Sequence, residues 1–267
     1  MKPWPAVAAV ALAAAALRVR GLFSDLWLDE IWSLDGAFAA RHWWDVFLRF
    51  NLDNNHHLNT LYLFMIGDGA SAVQYRMLAF ICGVLSVLVA AAIAGRHGRS
   101  AALVAGVTFA SSYLLVFYSS EARGYSPVVF FSLLAWYIVQ RHVDAPGWPK
   151  IIALSVCTLA GAMAHRTYGF FLIAAFIWFD FHLQRLFPLR TATRLTWRTF
   201  GLPGVVVVLF AVVALRNTAV GGGPPYRLDV VLAQTMGSVG SGPTHGALMW
   251  TVAAGMGLLF VLALIER

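Results

Sequence analysis

The sequence predicts an all-α polytopic membrane protein of about eight transmembrane helices, with amphipathic interfacial helices in its first outer loop. Three observations lead there. Hydrophobic residues make up 60% of the chain and charged residues 12%, where soluble domains carry about 25% charge. Mean hydropathy is +0.73. The apolar residues fall into runs on the scale of a bilayer crossing, roughly 17–25 residues, joined by short connections that hold single basic residues.

The first run, 4–22, follows Lys2 and has the outline of a secretory signal, but no small-residue cleavage site leads from it into polar sequence. It reads as an uncleaved first span whose far end sends Arg18 and Arg20 into the headgroups. Residues 23–74 form the first periplasmic loop. Its stretch WSLDGAFAARHWWDVFLRF sets aromatic and aliphatic residues at helical spacing among charges, the pattern of a helix lying on a membrane. HLNTLYLFMIG (57–67) is too short to cross and is expected at the same surface. Further runs at 75–95, 101–118, 125–141, 150–164, 168–187, 200–217 and 247–265 supply the remaining spans. Between the last two lies a second long outer loop, 218–246, whose GGGPP and GSVGSGP read as flexible loop rather than packed helix. Residues 1–267 are expected to form a single transmembrane domain. The stop at Glu266-Arg267, directly after a span, raises the expectation of further carboxy-terminal spans or an outer domain.

A formal charge of +7 does not indicate nucleic acid, because the basic residues are scattered singly between spans. Cys82 and Cys157 sit inside apolar runs with no metal-type spacing and behave as small hydrophobes. With Lys2 taken as cytoplasmic, GRHGR (95–99), Arg141 to Lys150 and Arg185 to Arg198 also face the cytoplasm. Asp25, Asp29, Glu30, Asp35, Asp45, Asp53, Asp68, Glu121 and Asp229 then all face outward. Acids contribute little to topology, so this clustering points to function.

Candidate chemistry lies on that face. In DLWLDEIWS, Asp29 and Glu30 sit between Trp27 and Trp32; a carboxylate partly desolvated there suits proton removal from a hydroxyl. On a helix the two side chains point about 100° apart, so one can act as base while the other orients a helix or binds a metal. An acid pair capping an interfacial helix is the plainer alternative. NLDNNHHLNT (51–60) gathers Asn55, His56 and His57 with further amides, groups able to bind a sugar or a divalent cation, or simply to cap the next helix. In YSSEARGYS (118–126), Arg123 lies between Glu121 and Tyr125, an arrangement suited to a lipid phosphate. HRTYG (165–169) repeats the theme with His165, Arg166 and Tyr168. Asp180 and His182 are expected to pair with each other or with Arg185, and the arginines at 185, 190, 194 and 198 to meet anionic lipid.

The order of these motifs resembles the GT-C superfamily of membrane glycosyltransferases. A first span is followed by LWLDEIWS, NNHHLNTLYLFM, the arginine-opened span QYRMLAFICGVLSVLVAAAIAGR and YSSEARGYS. The closest likeness is to the protein-mannosyltransferase and aminoarabinose-transferase-like branch, over roughly residues 5 to 185. The resemblance implies an inverting transfer of a sugar from a polyprenyl-phosphate donor to an acceptor glycan, lipid or protein on the periplasmic face. The enclosing membrane would be a bacterial inner membrane. It assigns Asp29 as the base or acceptor-orienting acid with Glu30 beside it, and Arg123 to the donor phosphate. It also implies a divalent metal at His56 or His57, although the family's His-Pro-Pro reads His56-His57-Leu58 here. A lipid-linked sugar transporter would need no base and would favour midplane charge, which the spans nearly lack; a non-catalytic or truncated scaffold of the same fold would tolerate loss of both acids.

Overall fold

The computed structural model describes residues 4–50, 55–216, 218, 227–241 and several positions between 247 and 258. Every regular element among them is helical. The helices are α1 (Trp4–Leu22), α2 (Leu28–Ala39), α3 (Asp45–Leu48), α4 (His57–Ile66), α5 (Ala72–Ala94), α6 (Arg99–Ser111), α7 (Tyr113–Tyr118), α8 (Tyr125–Asp144), α9 (Trp148–Ala164), α10 (Tyr168–Gln184), α11 (Leu189–Phe210) and α12 (Leu228–Ser241). A 3₁₀ turn, Gly95–His97, extends α5, and a π-helical turn, Ala211–Leu215, extends α11.

Three of these are long and apolar enough to cross a membrane: Trp4–Leu22, Ala72–His97 and Leu189–Leu215. Side chains such as Leu12, Ile173 and Val208 stand out from the helix surfaces. Exposed apolar area of that kind needs a hydrocarbon surround. The expected eighth run, 247–265, lies mostly outside the described residues, as does Asp53.

The long helices run up and down. The three-residue links between α8, α9 and α10 make them antiparallel neighbours, and α5, α8, α9 and α11 pack in sequence. A 20-residue helix such as α8 is roughly 30 Å long, about the thickness of a bilayer core. The bundle therefore has two ends about one such helix length apart. One end carries the link between α1 and α5, the α7–α8 turn and the α9–α10 turn; the other carries the α5–α6, α8–α9 and α10–α11 turns.

Several sequence expectations change, two of them in an expected span and an expected outer loop. Run 101–118 is not one span, because Ser112 leaves helical conformation at φ −59°, ψ 121° and splits it into α6 and α7. Such a break strands the carbonyls at the end of α6 in apolar surroundings. Arg18 supplies their partners. Far from snorkelling, it is fully buried and donates to Phe109 O (2.9 Å), Ala110 O (3.0 Å) and Ser119 Oγ (3.2 Å). The second change is at 218–246, expected to be loop, where Leu228–Ser241 is helical. Its apolar residues 228 and 230–233 suffice for a helix despite the glycines on either side.

At the end that carries the link between α1 and α5, α4 packs among α2, α5 and α9 with Asn59, Thr60 and Leu63 buried, so it is part of the protein body rather than a surface float. Asp180 and His182 do not pair. Asp180 accepts from Thr196 and Gln184, and His182 stacks on Trp178 at 5.1 Å.

Candidate functional site

The two adjacent acids have separate fates. Glu30, expected as catalytic, is fully buried. Its Oε1 accepts from Arg76 Nε (2.8 Å) and Ala122 N (2.7 Å), and its Oε2 from Arg76 Nη2 (2.7 Å) and Trp27 N (3.1 Å). The bond to Trp27 N is the reach-back half of a capping box at the start of α2. Arg76 itself also donates to the carbonyls of Gly21 (3.1 Å), Ser24 (2.6 Å) and Asp25 (2.9 Å), closing the chain end that leaves α1. With both oxygens saturated and no solvent access, Glu30 is a clamp joining α1, α2, α5 and the α7–α8 turn. It has no lone pair free for a substrate proton.

Asp29, about 100° round the helix, faces out of that clamp with 26% of its side chain exposed and forms an ion pair with Arg123. Arg123 is held on three sides. Its guanidinium lies 4.8 Å from the Tyr125 ring and 5.4 Å from the Trp27 ring, and its Nη2 meets His56 Nε2 at 3.3 Å. Arginine can only donate, so His56 accepts at Nε2 and carries its proton on Nδ1, which faces Ala164 O at 3.2 Å. That tautomer requires a neutral ring. Burial drives the His56 pKa well below the ordinary value, helped by His165 and Arg123.

The turn 119–124 is positioned by its backbone. Ala122 N is bound to Glu30 and Ala122 O to Asn59 Nδ2 (2.6 Å). Gly124 passes so close to Ala164 O and the His56 ring that any Cβ would collide with them. Glycine is therefore needed for the α7–α8 and α9–α10 turns to touch. His165 completes the contact by stacking on His56 at 5.0 Å and lying tilted against Tyr125 at 5.2 Å; burial, then Arg166 and Arg123, lower its pKa to about 4. Arg166 is exposed and its charge acts on His56, His57 and His165.

Asn55 and His57 leave the expected group. Asn55 donates to Val46 O (3.0 Å) and Phe50 O (2.8 Å) and accepts from Thr60 (2.8 Å), so it is spent on folding α3 back onto α4. His57 points the other way from His56, between Phe47 (5.7 Å) and Phe210 (5.2 Å), and burial lowers its pKa to about 4. The histidine pair does not fit a shared cation. The rings diverge, His56 already accepts from an arginine, and no set of three candidate metal ligands converges among the described residues.

Glu121 is nearly buried and lines a groove of about 640 Å³ that runs along α1 and α7 past Leu17, Val116 and Phe117 to Trp27 and Arg76. Burial pushes its carboxyl up to about 7, with Arg123 opposing and Glu30 and Asp29 adding to the rise. Its Oε2 has no hydrogen-bond partner among the described residues.

Asp29 from the start of α2, His56 from the start of α4, Glu121, Arg123 and Tyr125 from the α7–α8 turn, and His165 from the α9–α10 turn thus come together. Arg76, Trp27 and Asn59 were not singled out as site residues from the sequence. Arg76 had a legible signal, a charge at the opening of an apolar span, which demands a buried partner. The chain finds no match among known protein-family models, curated proteins or solved structures.

Proposed function

We propose that this chain is an inverting glycosyltransferase that moves a sugar from a polyprenyl-phosphate donor to an acceptor hydroxyl at the Asp29 end of the bundle. The observation that carries the reading is a partly exposed carboxylate paired with a buried arginine whose guanidinium lies against Trp27, a residue that also lines an apolar groove. The groove takes the first isoprene units along Leu17, Val116 and Phe117. The phosphate then reaches Arg123, whose fork binds oxygens in pairs.

The ion pair gives the reaction its order. A donor phosphate competes with Asp29 for Arg123. When Arg123 turns to the phosphate, Asp29 is freed to take the acceptor proton. The new bond forms between the acceptor oxygen and the anomeric carbon, the carbon–phosphate oxygen bond breaks, and the electron pair leaves on polyprenyl phosphate. Arg123, with Arg166 nearby, stabilises that charge. His56 acts through Arg123 by holding its far nitrogen. Glu121, when protonated, does not repel the phosphate beside it.

The Lys and Arg distribution supports placing this end outside the cytoplasm, where lipid-linked rather than nucleotide-linked sugars are available, and the family resemblance supports a bacterial inner membrane. Lipid mass spectrometry on host membranes tests the reading. A polyprenyl-phosphate sugar is expected to accumulate both in a deletion strain and in Asp29→Asn. A deletion phenotype with a wild-type lipid profile in Asp29→Asn would remove the base and with it this mechanism.

A further inference from the structure

The opposite end of the bundle holds a second feature, which the transfer reaction does not use. The first half of α11 carries Arg190, Arg194 and Arg198 at intervals of four, so the three guanidinium groups share one side of the helix. All three are exposed, and none has a carboxylate partner among the described residues. The nearest acid on α10, Asp180, is spent on Thr196 (3.0 Å) and Gln184. Thr196 is buried on the other side of the helix.

The arginines line a basic opening of about 650 Å³ that also includes Trp148 and Leu195. Next to it is a slot of about 320 Å³ between α8, α9, α10 and α11, lined by Val143, Phe179, Leu183 and Phe187. Trp148, Leu195 and Arg198 border both spaces, so the polar opening leads directly into the apolar one. The Trp148 ring, exposed at the start of α9, holds the Arg198 guanidinium at 5.8 Å. Tryptophan there marks the level where headgroups meet hydrocarbon. The slot's size falls in the ordinary range for ligand pockets, about 300–1,000 Å³.

A free anion would satisfy the arginines and leave the slot unexplained; a neutral lipid would fill the slot and leave three unneutralised charges. We propose that this is a binding site for an anionic phospholipid of the leaflet at that end. Its phosphate sits on Arg190, Arg194 and Arg198, its glycerol lies near Trp148, and one acyl chain enters the slot. The lipid ties α11 to the α8–α9 turn, where His142 already bridges to Thr199 (3.3 Å). The site is independent of the transfer reaction and about a membrane thickness away from it.

Native mass spectrometry of the full chain, released from detergent with phosphatidylglycerol or phosphatidylcholine of equal chain length, tests the site. Interfacial attraction of about fivefold per basic residue predicts a roughly hundredfold preference for phosphatidylglycerol across three arginines. The triple variant Arg190→Gln, Arg194→Gln, Arg198→Gln alters only exposed side chains and is expected to lose that preference while keeping its melting temperature. Gly147→Phe supplies the second arm. Gly147 has extended backbone, φ 179°, and a Cβ there meets only Pro149 Cδ at 3.7 Å, so the ring can occupy the slot mouth without refolding the turn. It should weaken phosphatidylglycerol at least tenfold with all three arginines in place. Equal retention of both lipids by the wild type, or unchanged preference in the triple variant, overturns the proposal. So does full displacement of phosphatidylglycerol by millimolar inorganic phosphate, or its undiminished retention by Gly147→Phe, since either outcome leaves an anion site without a lipid.

Discussion

The two ends of this bundle use charge in opposite ways. At the Asp29 end, the guanidinium groups of Arg76 and Arg123 are buried and paired with carboxylates, with aromatic rings, histidine and backbone carbonyls filling the remaining directions. At the Trp148 end, arginines stand exposed, and the cross-link Arg96–Asp144 (2.7 Å) is open to solvent on both sides. A buried pair has fixed geometry because each unmade bond is expensive in low dielectric. An exposed pair is loose and screened by salt. The first kind of arrangement can hold a reacting atom in place; the second can only attract.

Five variants break or sharpen that contrast. Asp29→Asn should have the largest effect, a loss of transfer of about 10²–10⁴ in rate with folding intact, because it removes the base and leaves the Glu30 clamp untouched. Donor turnover in reconstituted membranes measures it. Next comes the clamp itself. Glu30→Ala strands the Arg76 charge in a dry site and should destabilise by about 3–5 kcal/mol, read as lost melting temperature or lost expression. The double variant Glu30→Leu, Arg76→Met should recover much of that stability but not activity, since nothing then aims the 119–124 turn.

Glu121 offers a smaller, pH-dependent effect. Its folded pKa of about 7 stands above the ordinary 4.5, so the folded protein binds more protons between those values. This contribution to stability is fully present below about pH 4.5 and is lost as pH rises through about 7. Glu121→Gln should flatten that part of the melting-temperature profile; an unchanged profile would show that the carboxyl ionises freely. Smallest of all, Arg96→Gln should leave melting temperature nearly unchanged, because its pair with Asp144 is a solvated one. A large loss there would collapse the distinction between the two ends.

The residues of the Asp29 end were partly legible before folding. Adjacent carboxylates cannot face the same way on a helix, which already implied separate duties for Asp29 and Glu30. Which acid would be clamped was not legible, because Glu30 finds Arg76 46 positions away and Ala122 92 positions away. The two histidines were no more legible. Either was a candidate by its position, and the start of α4 sends His56 to Arg123 and His57 to Phe210. Asn55 looked like a sugar-binding amide and is consumed by local carbonyls.

Composition and periodicity determined by themselves that this chain is helical and apolar, and roughly where α1, α4, α5, α8, α9 and α10 begin and end, because hydrophobic run length and backbone satisfaction in lipid are local requirements. They also placed the acids in one set of connecting segments. Only the tertiary structure decided that Arg18 turns inward to end a helix rather than outward to lipid. It alone decided that Glu30 is buried against Arg76 while Asp29 is partly exposed, and that a glycine at 124 lets two turns meet. Those outcomes depend on which groups lie across the gap between helices. Pairing of that kind is set by packing, which sequence spacing does not encode.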